Sequence, residues 1–162
     1  MKKEVLYVWF QQQVGRCNRI TKEILSRFQS ISEVYNCDDF SFLGEKREKY
    51  VKKLESKDIS SAFEIVKRCE QIGARITGYY DDFYPDSLRR IENPPAVLYS
   101  IGNLEKLGSN PCVAIVGTRK MSDYGKNIAE SFAYNFAKSG ATVVSGLAKG
   151  VDTSAHRGAI MA

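Results

Sequence analysis

The chain is poor in the residues that build metal and hydrolytic sites. Its 162 residues include one histidine, His156, and four cysteines without a CxxC pair, at positions 17, 37, 69 and 112. Structural zinc needs cysteine and histidine ligands at short spacings, so we predict no metal site. The HExxH and GxSxG motifs are also missing, so the sequence predicts no catalytic residue.

Long apolar runs are missing as well. The run VLYVWF (5–10) follows two lysines and is too short for a signal peptide or a membrane span. Because no export signal is visible, we expect reduced thiols and a cytoplasmic protein. The formal net charge is +5, and residues 1–75 carry +4 of it. A basic front half is compatible with a nucleic-acid partner, although many unrelated proteins share this balance.

Proline is absent before Pro85, and residues 1–74 have a helical pattern. Apolar residues recur at helical spacing in several short segments, and Ser60 is a candidate N-cap for one of them. We therefore predict a small helical domain over residues 1–74. The periodic positions are Ile20, Ile24, Leu25, Phe28, Tyr50, Val51, Leu54, Phe63, Val66 and Cys69.

The run KREKYVKK (46–53) concentrates positive charge in this helical region. It has the composition to follow a phosphate backbone. A solvated helix face is the favoured interpretation, because Glu45, Glu48 and Glu55 offset the lysines and the arginine.

Helical periodicity stops at Gly73, and we predict a domain boundary near residue 74. The segments ARITGYY (74–80) and AVLYS (96–100) have the character of short strands, with turn-forming residues between them. Tyr79 and Tyr80 have side chains that can stack on bases, but we expect at least one of them in a core.

The strongest pattern begins at Pro111. The runs CVAIV (112–116) and ATVVS (141–145) resemble buried strands of a parallel sheet. Between them lies an amphipathic helix, predicted to start at the N-cap Ser122 and to stop at Gly140. Its apolar positions are Tyr124, Ile128, Phe132 and Phe136. This is a βαβ unit, and two strands alone do not complete a doubly wound sheet. We therefore expect α/β architecture with an incomplete Rossmann-like parallel domain over 75–162.

Each predicted strand leads into a glycine loop with one cation. The first loop contains Gly117, Thr118 and Arg119, and the second contains Ser145, Gly146 and Lys149. Parallel strands end at the same sheet edge, where helix N-termini and these side chains form an anion pocket. We predict that these six residues bind phosphate groups of a ligand.

Known nucleotide fingerprints do not fit these loops. Gly117 is not part of a GxGxxG motif, and Gly150 is not followed by the Lys-Ser/Thr pair of a P-loop. We therefore predict no bound cofactor. Arg119 can alternatively pair with Asp123, and Asp152 or Thr153 is a candidate cap for the helix after the second loop. For His156 we favour packing or hydrogen bonding over catalysis.

The motifs YPDSL (84–88), NPPAVLYSIGN (93–103), AIVGTR (114–119), SDYG (122–125) and SGLAKGVDTSAH (145–156) resemble the DprA/Smf family of DNA-processing proteins. The resemblance covers about residue 75 to the end, and the helical front half resembles this family's SAM-like domain. It implies a non-enzymatic, homodimeric protein that binds and protects incoming single-stranded DNA in natural transformation. It also implies loading of a RecA-type recombinase, and a pocket built on the arginine that is Arg119 here.

Two other functions remain open. One is a nucleoside monophosphate enzyme like the lysine-decarboxylase-like phosphoribohydrolases, although their GGxGT motif is missing from this sequence. The other is a regulatory nucleotide-binding protein without a role in DNA processing.

Overall fold

The computed structural model describes the chain from Met1 to Ala162, apart from the side chains at positions 46 and 106 and the burial of position 108. Its contacts divide it into two compact units, Met1–Leu104 and Glu105–Ala162. The first unit is mainly helical and contains an antiparallel β-hairpin, and the second contains a parallel βαβ element. This confirms the predicted α/β class.

The first unit begins with five helices and two 3₁₀ turns. The turns, at Ser41–Leu43 and Glu45–Arg47, lie between the third and fourth helices. The helices are α1 (Lys3–Val14), α2 (Arg19–Leu25), α3 (Ile31–Asn36), α4 (Glu48–Glu55) and α5 (Ser60–Gln71). The predicted helical character of this region is confirmed.

Helix α1 lies at the centre of this unit. All six residues from Val5 to Phe10 are buried, because α3, α4 and α5 all pack against this helix. Trp9 is completely buried, and its indole Nε1 donates to the Ser56 carbonyl at 2.9 Å. A helix that is apolar on all sides is typical of the middle of a core.

Side-chain caps begin two of the helices. The Asn18 side chain accepts from the Ile20 amide at 3.3 Å, and the Ser30 hydroxyl accepts from the Glu33 amide at 3.2 Å. The prediction for Ser60 is wrong. Ser60 is already the first helical residue, and its amide donates to the Asp58 carboxylate at 2.9 Å.

The charged run on α4 is exposed at Lys49, Lys52 and Lys53, which confirms the solvated face for these residues. Lys52 pairs with Glu48 at 2.7 Å, one turn earlier in the helix. The side chain of Lys46, which begins the run, lies outside the described part of the chain.

Strands β1 (Arg75–Gly78) and β2 (Val97–Ser100) form an antiparallel pair, with α6 (Asp86–Arg89) between them. The register places Ile76 opposite Tyr99. The pair contacts α1 and α5, so it belongs to the first compact unit. The domain boundary near residue 74 stays a prediction, since it marks the end of helical periodicity and not a break in packing.

Tyr79 and Tyr80 follow β1 and pack inside this unit. The Tyr80 hydroxyl donates to the Leu25 carbonyl at 2.7 Å, and the Tyr79 ring centre is 5.5 Å from that of Tyr84. This confirms the expectation that at least one of the two belongs to the core.

The second unit starts with α7 (Lys106–Ser109), followed by β3 (Cys112–Ala114), α8 (Asp123–Lys138), β4 (Thr142–Val144) and α9 (Val151–Met161). Strands β3 and β4 are parallel, with Val113 opposite Val143. The predicted βαβ unit is confirmed. The strands are shorter than the apolar runs, and Cys112 and Ala114 are exposed, so burial of β3 on both faces is wrong for the described chain.

Helix α8 has the predicted ends. The Ser122 hydroxyl accepts from the Gly125 amide at 3.2 Å, and Gly140 has a φ of 86° just after the last turn. Its buried side is formed by Ala129 and Ala133, and α8 and α9 pack closely against each other. Tyr124, Phe132 and Phe136 of α8 are exposed.

The described helices include none with both the length and the apolar content required to cross a membrane.

Candidate nucleic-acid interface

The two glycine loops lie side by side because they follow parallel neighbouring strands. Loop 1 is defined here as residues 115–122 and loop 2 as residues 145–150. The Ile115 amide donates to the Val144 carbonyl at 3.0 Å, which continues the strand pairing into loop 1. The Ser145 hydroxyl then donates to the Ile115 carbonyl at 2.7 Å. The structure therefore brings the predicted residues of both loops to one sheet edge.

The loops also contact each other directly through their backbones. The Val151 amide, at the start of α9, donates to the Thr118 carbonyl at 3.2 Å. Gly150 has a φ of +90°, and a Cβ built there would lie 2.8 Å from the Arg119 Cα. Only glycine adopts this conformation at so close an approach without strain. Gly150 therefore fixes the position of Arg119 relative to α9.

Gly117 also allows loop 1 to pack closely on the start of α9. A Cβ at this position would lie 2.8 Å from Cγ2 of Val151, so the glycine lets loop 1 lie directly on the first residue of α9. The structure thus gives Gly117 a role in joining the two loops. Its predicted contact with a phosphate stays a prediction.

The two predicted hydroxyl donors are already engaged. Thr118 Oγ1 donates to the Lys120 carbonyl and accepts from the Lys120 amide, both at 3.1 Å. The Ser145 hydroxyl donates to Ile115, as described above. Each hydroxyl has one proton, so these groups stabilise the loop shapes before any ligand is present. Their predicted role as phosphate donors stays a prediction.

Arg119 and Lys149 have a different status. Both side chains are exposed, and neither forms a hydrogen bond or an ion pair with another described residue. The alternative pair between Arg119 and Asp123 is therefore not formed. A guanidinium and an ammonium held on a braced pair of loops are the groups best suited to an anionic ligand here.

Asp152 also contributes to this edge, although the sequence predicts it only as a candidate helix cap. It is buried, and its Oδ2 accepts from the Ala148 amide at 3.4 Å, inside loop 2. A Cβ on Gly146 would lie 2.9 Å from this oxygen, so Gly146 leaves room for the carboxylate. The sequence signal was an acidic residue in the first helical turn after a glycine.

The capping predictions for α9 are wrong. The Thr153 hydroxyl donates to the Ala148 carbonyl at 2.7 Å, and Asp152 bonds to loop 2, so neither side chain caps the helix N-terminus. The carboxylate of Asp152 interacts favourably with the positive end of the α9 dipole. It takes an amide that an anion would otherwise use, so loop 2 offers less to a phosphate than its sequence indicates.

His156 lies one turn further along α9. Its Nε2 is buried without a hydrogen-bond partner among the described residues, which does not support the hydrogen-bonding role for this atom. Its neighbour Ser154 is buried, with its hydroxyl 3.6 Å from the Met121 sulfur. Packing remains the role that the structure supports for His156.

These features define an α/β protein with a helical unit, an antiparallel hairpin and a parallel βαβ element. The family model for DNA recombination-mediator protein A matches residues 75–162, more than half of the chain. The chain belongs to this DNA-processing family.

Known relatives share the matched region. Protein Smf of Synechocystis sp. is 39% identical over 97 residues, which are 58% of this chain and 24% of that protein. DNA processing protein DprA of Bacillus subtilis is 38% identical over 79 residues, 49% of this chain and 27% of that protein. The matched region thus spans about a quarter of these curated relatives.

A solved structure extends the likeness to almost the whole chain. The X-ray structure of DNA processing protein A from Streptococcus pneumoniae superposes with a TM-score of 0.74 at 25% identity. The match covers 99% of this chain and 55% of that one.

Proposed function

We propose that this chain acts in DNA processing as a single-stranded DNA-binding protein without enzymatic activity. Backbone phosphates bind at the edge formed by loops 1 and 2, where Arg119 contributes the main contact. The observation that carries the proposal is the direct backbone contact between the loops. It holds Arg119, which has no ion-pair partner in the described part of the chain, beside the start of α9.

The roles of the six predicted residues differ within this proposal. Arg119 and Lys149 bind phosphates, since both are exposed and unpaired among the described residues. Gly117 and Gly146 keep the loops close to α9, where a Cβ would collide with Val151 or Asp152. Thr118 and Ser145 use their hydroxyls to hold the loops and contact phosphates through their remaining lone pairs only by way of water.

Three wider expectations belong to the same proposal. They are protection of incoming DNA in natural transformation, loading of a RecA-type recombinase, and action as a cytoplasmic homodimer. They are supported by family membership, and the matched region is about a quarter of the curated relatives. They concern the whole protein and not the matched region alone.

The test is an anisotropy titration of labelled oligo-dT with this chain and its Arg119→Ala variant. Binding should weaken about tenfold, because one charge-assisted contact is lost. It should also fall steeply with salt, since phosphate contacts release counterions. Lys138→Ala removes the same charge at the far end of α8 and is the matched control, with affinity unchanged.

Two outcomes contradict the proposal. Equal affinity of the Arg119→Ala variant and the unmodified chain removes Arg119 from the interface. Binding of a labelled nucleoside monophosphate that oligo-dT does not displace supports the nucleotide-binding alternatives instead. Turnover of that nucleotide favours the phosphoribohydrolase-like enzyme over the regulatory protein.

A further inference from the structure

Within the described part of the chain, one edge of β2 pairs with no other strand, and the hydrogen-bond alternation shows which groups face that edge. The Tyr79 amide donates to the Ala96 carbonyl at 3.0 Å, which makes this a hydrogen-bonded pair just beyond the strands. Pairs alternate along an antiparallel ladder, so the next pair, Gly78 with Val97, turns its backbone groups outward. The Gly78 amide confirms this, since it donates to the Asp81 carboxylate at 2.9 Å and not to β2.

The same alternation applies to Ile76 and Tyr99, two residues further along. The N–H and C=O groups of Val97 and Tyr99 therefore point away from β1. Neither residue has a backbone hydrogen bond on that side within the described part of the chain. A row of unpaired donors and acceptors spaced two residues apart is a template for another extended strand.

A groove of about 680 Å³ adjoins this edge, between α1, α5 and β2. Its floor is apolar, formed by Ile65, Pro95, Val97 and Leu98. Tyr99 stands at one side, where its hydroxyl donates to the Gln11 side chain at 3.0 Å. Because alternate residues of a strand point to the same side, a strand on the β2 edge presents every second side chain to this floor.

The groove has one charged lining residue among those described, Arg16. Arg16 is exposed and forms no ion pair with another described residue. Arg16 and Tyr99 line the same groove, and burial raises the pKa of the Tyr99 phenol. The groove is therefore complementary to a single carboxylate beside an apolar residue.

We propose that the open edge of β2 binds an extended segment of a partner protein, which adds a strand to the β1–β2 pair. Apolar side chains of the segment lie on Ile65 and Leu98, and an acidic residue pairs with Arg16. One cation beside an apolar floor suits a peptide better than a nucleic acid, which requires several phosphate contacts. This surface is formed by residues of the first compact unit, whereas loops 1 and 2 belong to the second.

The probe is a short labelled peptide of alternating valine and threonine with one central aspartate, added to the full chain. Saturable binding is expected, together with slowed hydrogen exchange of the Tyr99 amide. Two further probes carry N-methyl groups on alternate residues, one on each edge of the peptide. Only one edge of an added strand pairs with β2, so one of these probes should lose binding while the other keeps it.

Variants of the chain separate hydrogen bonding from charge. Tyr99→Pro removes an outward N–H without removing a bond to β1, and it should weaken binding about tenfold, while Tyr99→Phe retains it. Arg16→Glu should reverse the preference from the aspartate probe to a lysine probe. Arg68→Glu makes the same charge change outside the groove and should leave both affinities unchanged.

Three results overturn this proposal. They are equal binding of the two N-methylated probes, displacement of the peptide by oligo-dT, and slow exchange of the Tyr99 amide in the chain without peptide. The N-methylated pair keeps the test valid if the Tyr99→Pro variant does not fold. Arg119→Ala should leave peptide binding intact, so failure here is distinct from failure of the DNA-binding proposal.

Discussion

The central helix of the first unit and helix α8 of the second unit differ in how far their large apolar side chains are buried. In the first unit Trp9, Phe10, Phe40 and Tyr84 are nearly or completely buried. In the second unit the periodic positions of α8 are exposed, from 36% at Ile128 to 75% at Tyr124. The side chains buried between α8 and α9 are instead small, namely Ala129, Ala133 and Ala155.

This difference shows that periodicity identifies an apolar face but not what covers it. Helix α1 is covered because α3, α4 and α5 surround it within the same unit. The aromatic face of α8 has no such cover among the described residues. Stability should therefore depend on large side chains in the first unit and on close backbone approach in the second.

The largest expected effect comes from Trp9→Ala. It empties a completely buried site and removes the bond to the Ser56 carbonyl, at a cost of about 3–5 kcal/mol in the free energy of unfolding. Urea denaturation followed by far-UV circular dichroism measures this loss. A cost below about 1 kcal/mol, the level of a surface substitution, would contradict the central position of α1.

In the βαβ unit, Gly150→Ala should have the next largest effect. The new Cβ would meet the backbone of Thr118 and Arg119 at a positive φ, with a cost of about 2–3 kcal/mol. Thermal unfolding measures this cost, and oligo-dT affinity should fall as Arg119 shifts.

The matched control for this change is Gly140→Ala. Gly140 also has a positive φ, but a Cβ there would meet nothing within 4 Å. It should cost only about 1 kcal/mol, through backbone strain alone, and leave DNA binding unchanged. Equal losses of affinity for both variants would refute the loop contact.

Alkaline pH should destabilise the helical unit. Burial is the main cause that holds the pKa values of Tyr7, Tyr80 and Tyr84 above their ordinary value of 10.0. Above that pH tyrosines lose their protons in the unfolded chain first, so stability is complete below pH 10.0 and falls as the pH rises further. The loss is about 1 kcal/mol per tyrosine at one pH unit above.

Urea denaturation at a series of alkaline pH values measures this loss of stability, and tyrosinate absorbance reports the ionisation of the phenols. The Tyr80→Phe variant should reduce the pH dependence of the free energy of unfolding by the contribution of one tyrosine. Stability that does not change between pH 10.0 and the onset of unfolding would show that these phenols are solvated in the folded chain.

The smallest effect is expected at Phe132, which is 55% exposed on α8. Phe132→Ser should change the free energy of unfolding by less than about 0.5 kcal/mol, as is usual for surface positions. It should also reduce self-association at high concentration, measured by light scattering, because it interrupts an exposed apolar face. A loss like that of Trp9→Ala would mean that this face is covered in solution.

Much of the fold was predictable because its signals are local. The caps at Ser122 and Gly140 follow from backbone groups within one turn, and the β3–α8–β4 order follows from two apolar runs around an amphipathic helix. The Ser60 cap failed because the helix begins one residue earlier than predicted. The Ser60 amide donates to the Asp58 carboxylate, and the Phe63 amide, which a Ser60 cap would use, donates to the Ile59 carbonyl.

The candidate site was predictable in position but not in its internal bonding. The two loops meet because parallel neighbouring strands end at the same edge of the sheet. That Ser145 bonds to Ile115, thirty residues away, depends on the register of β3 with β4. The burial of Asp152 against Gly146 likewise arises only when α9 folds back on loop 2.

The sequence by itself determined the α/β class, the DNA-processing family motifs and the two loops with their cations, because these depend on residues close in the chain. The tertiary structure alone decided that Arg119 and Lys149 stay unpaired among the described residues while Thr118 and Ser145 are engaged. It also decided that β2 keeps an open edge beside Arg16. Hydrogen-bond partners and cover are set by segments that are distant in sequence, and local patterns carry no record of them.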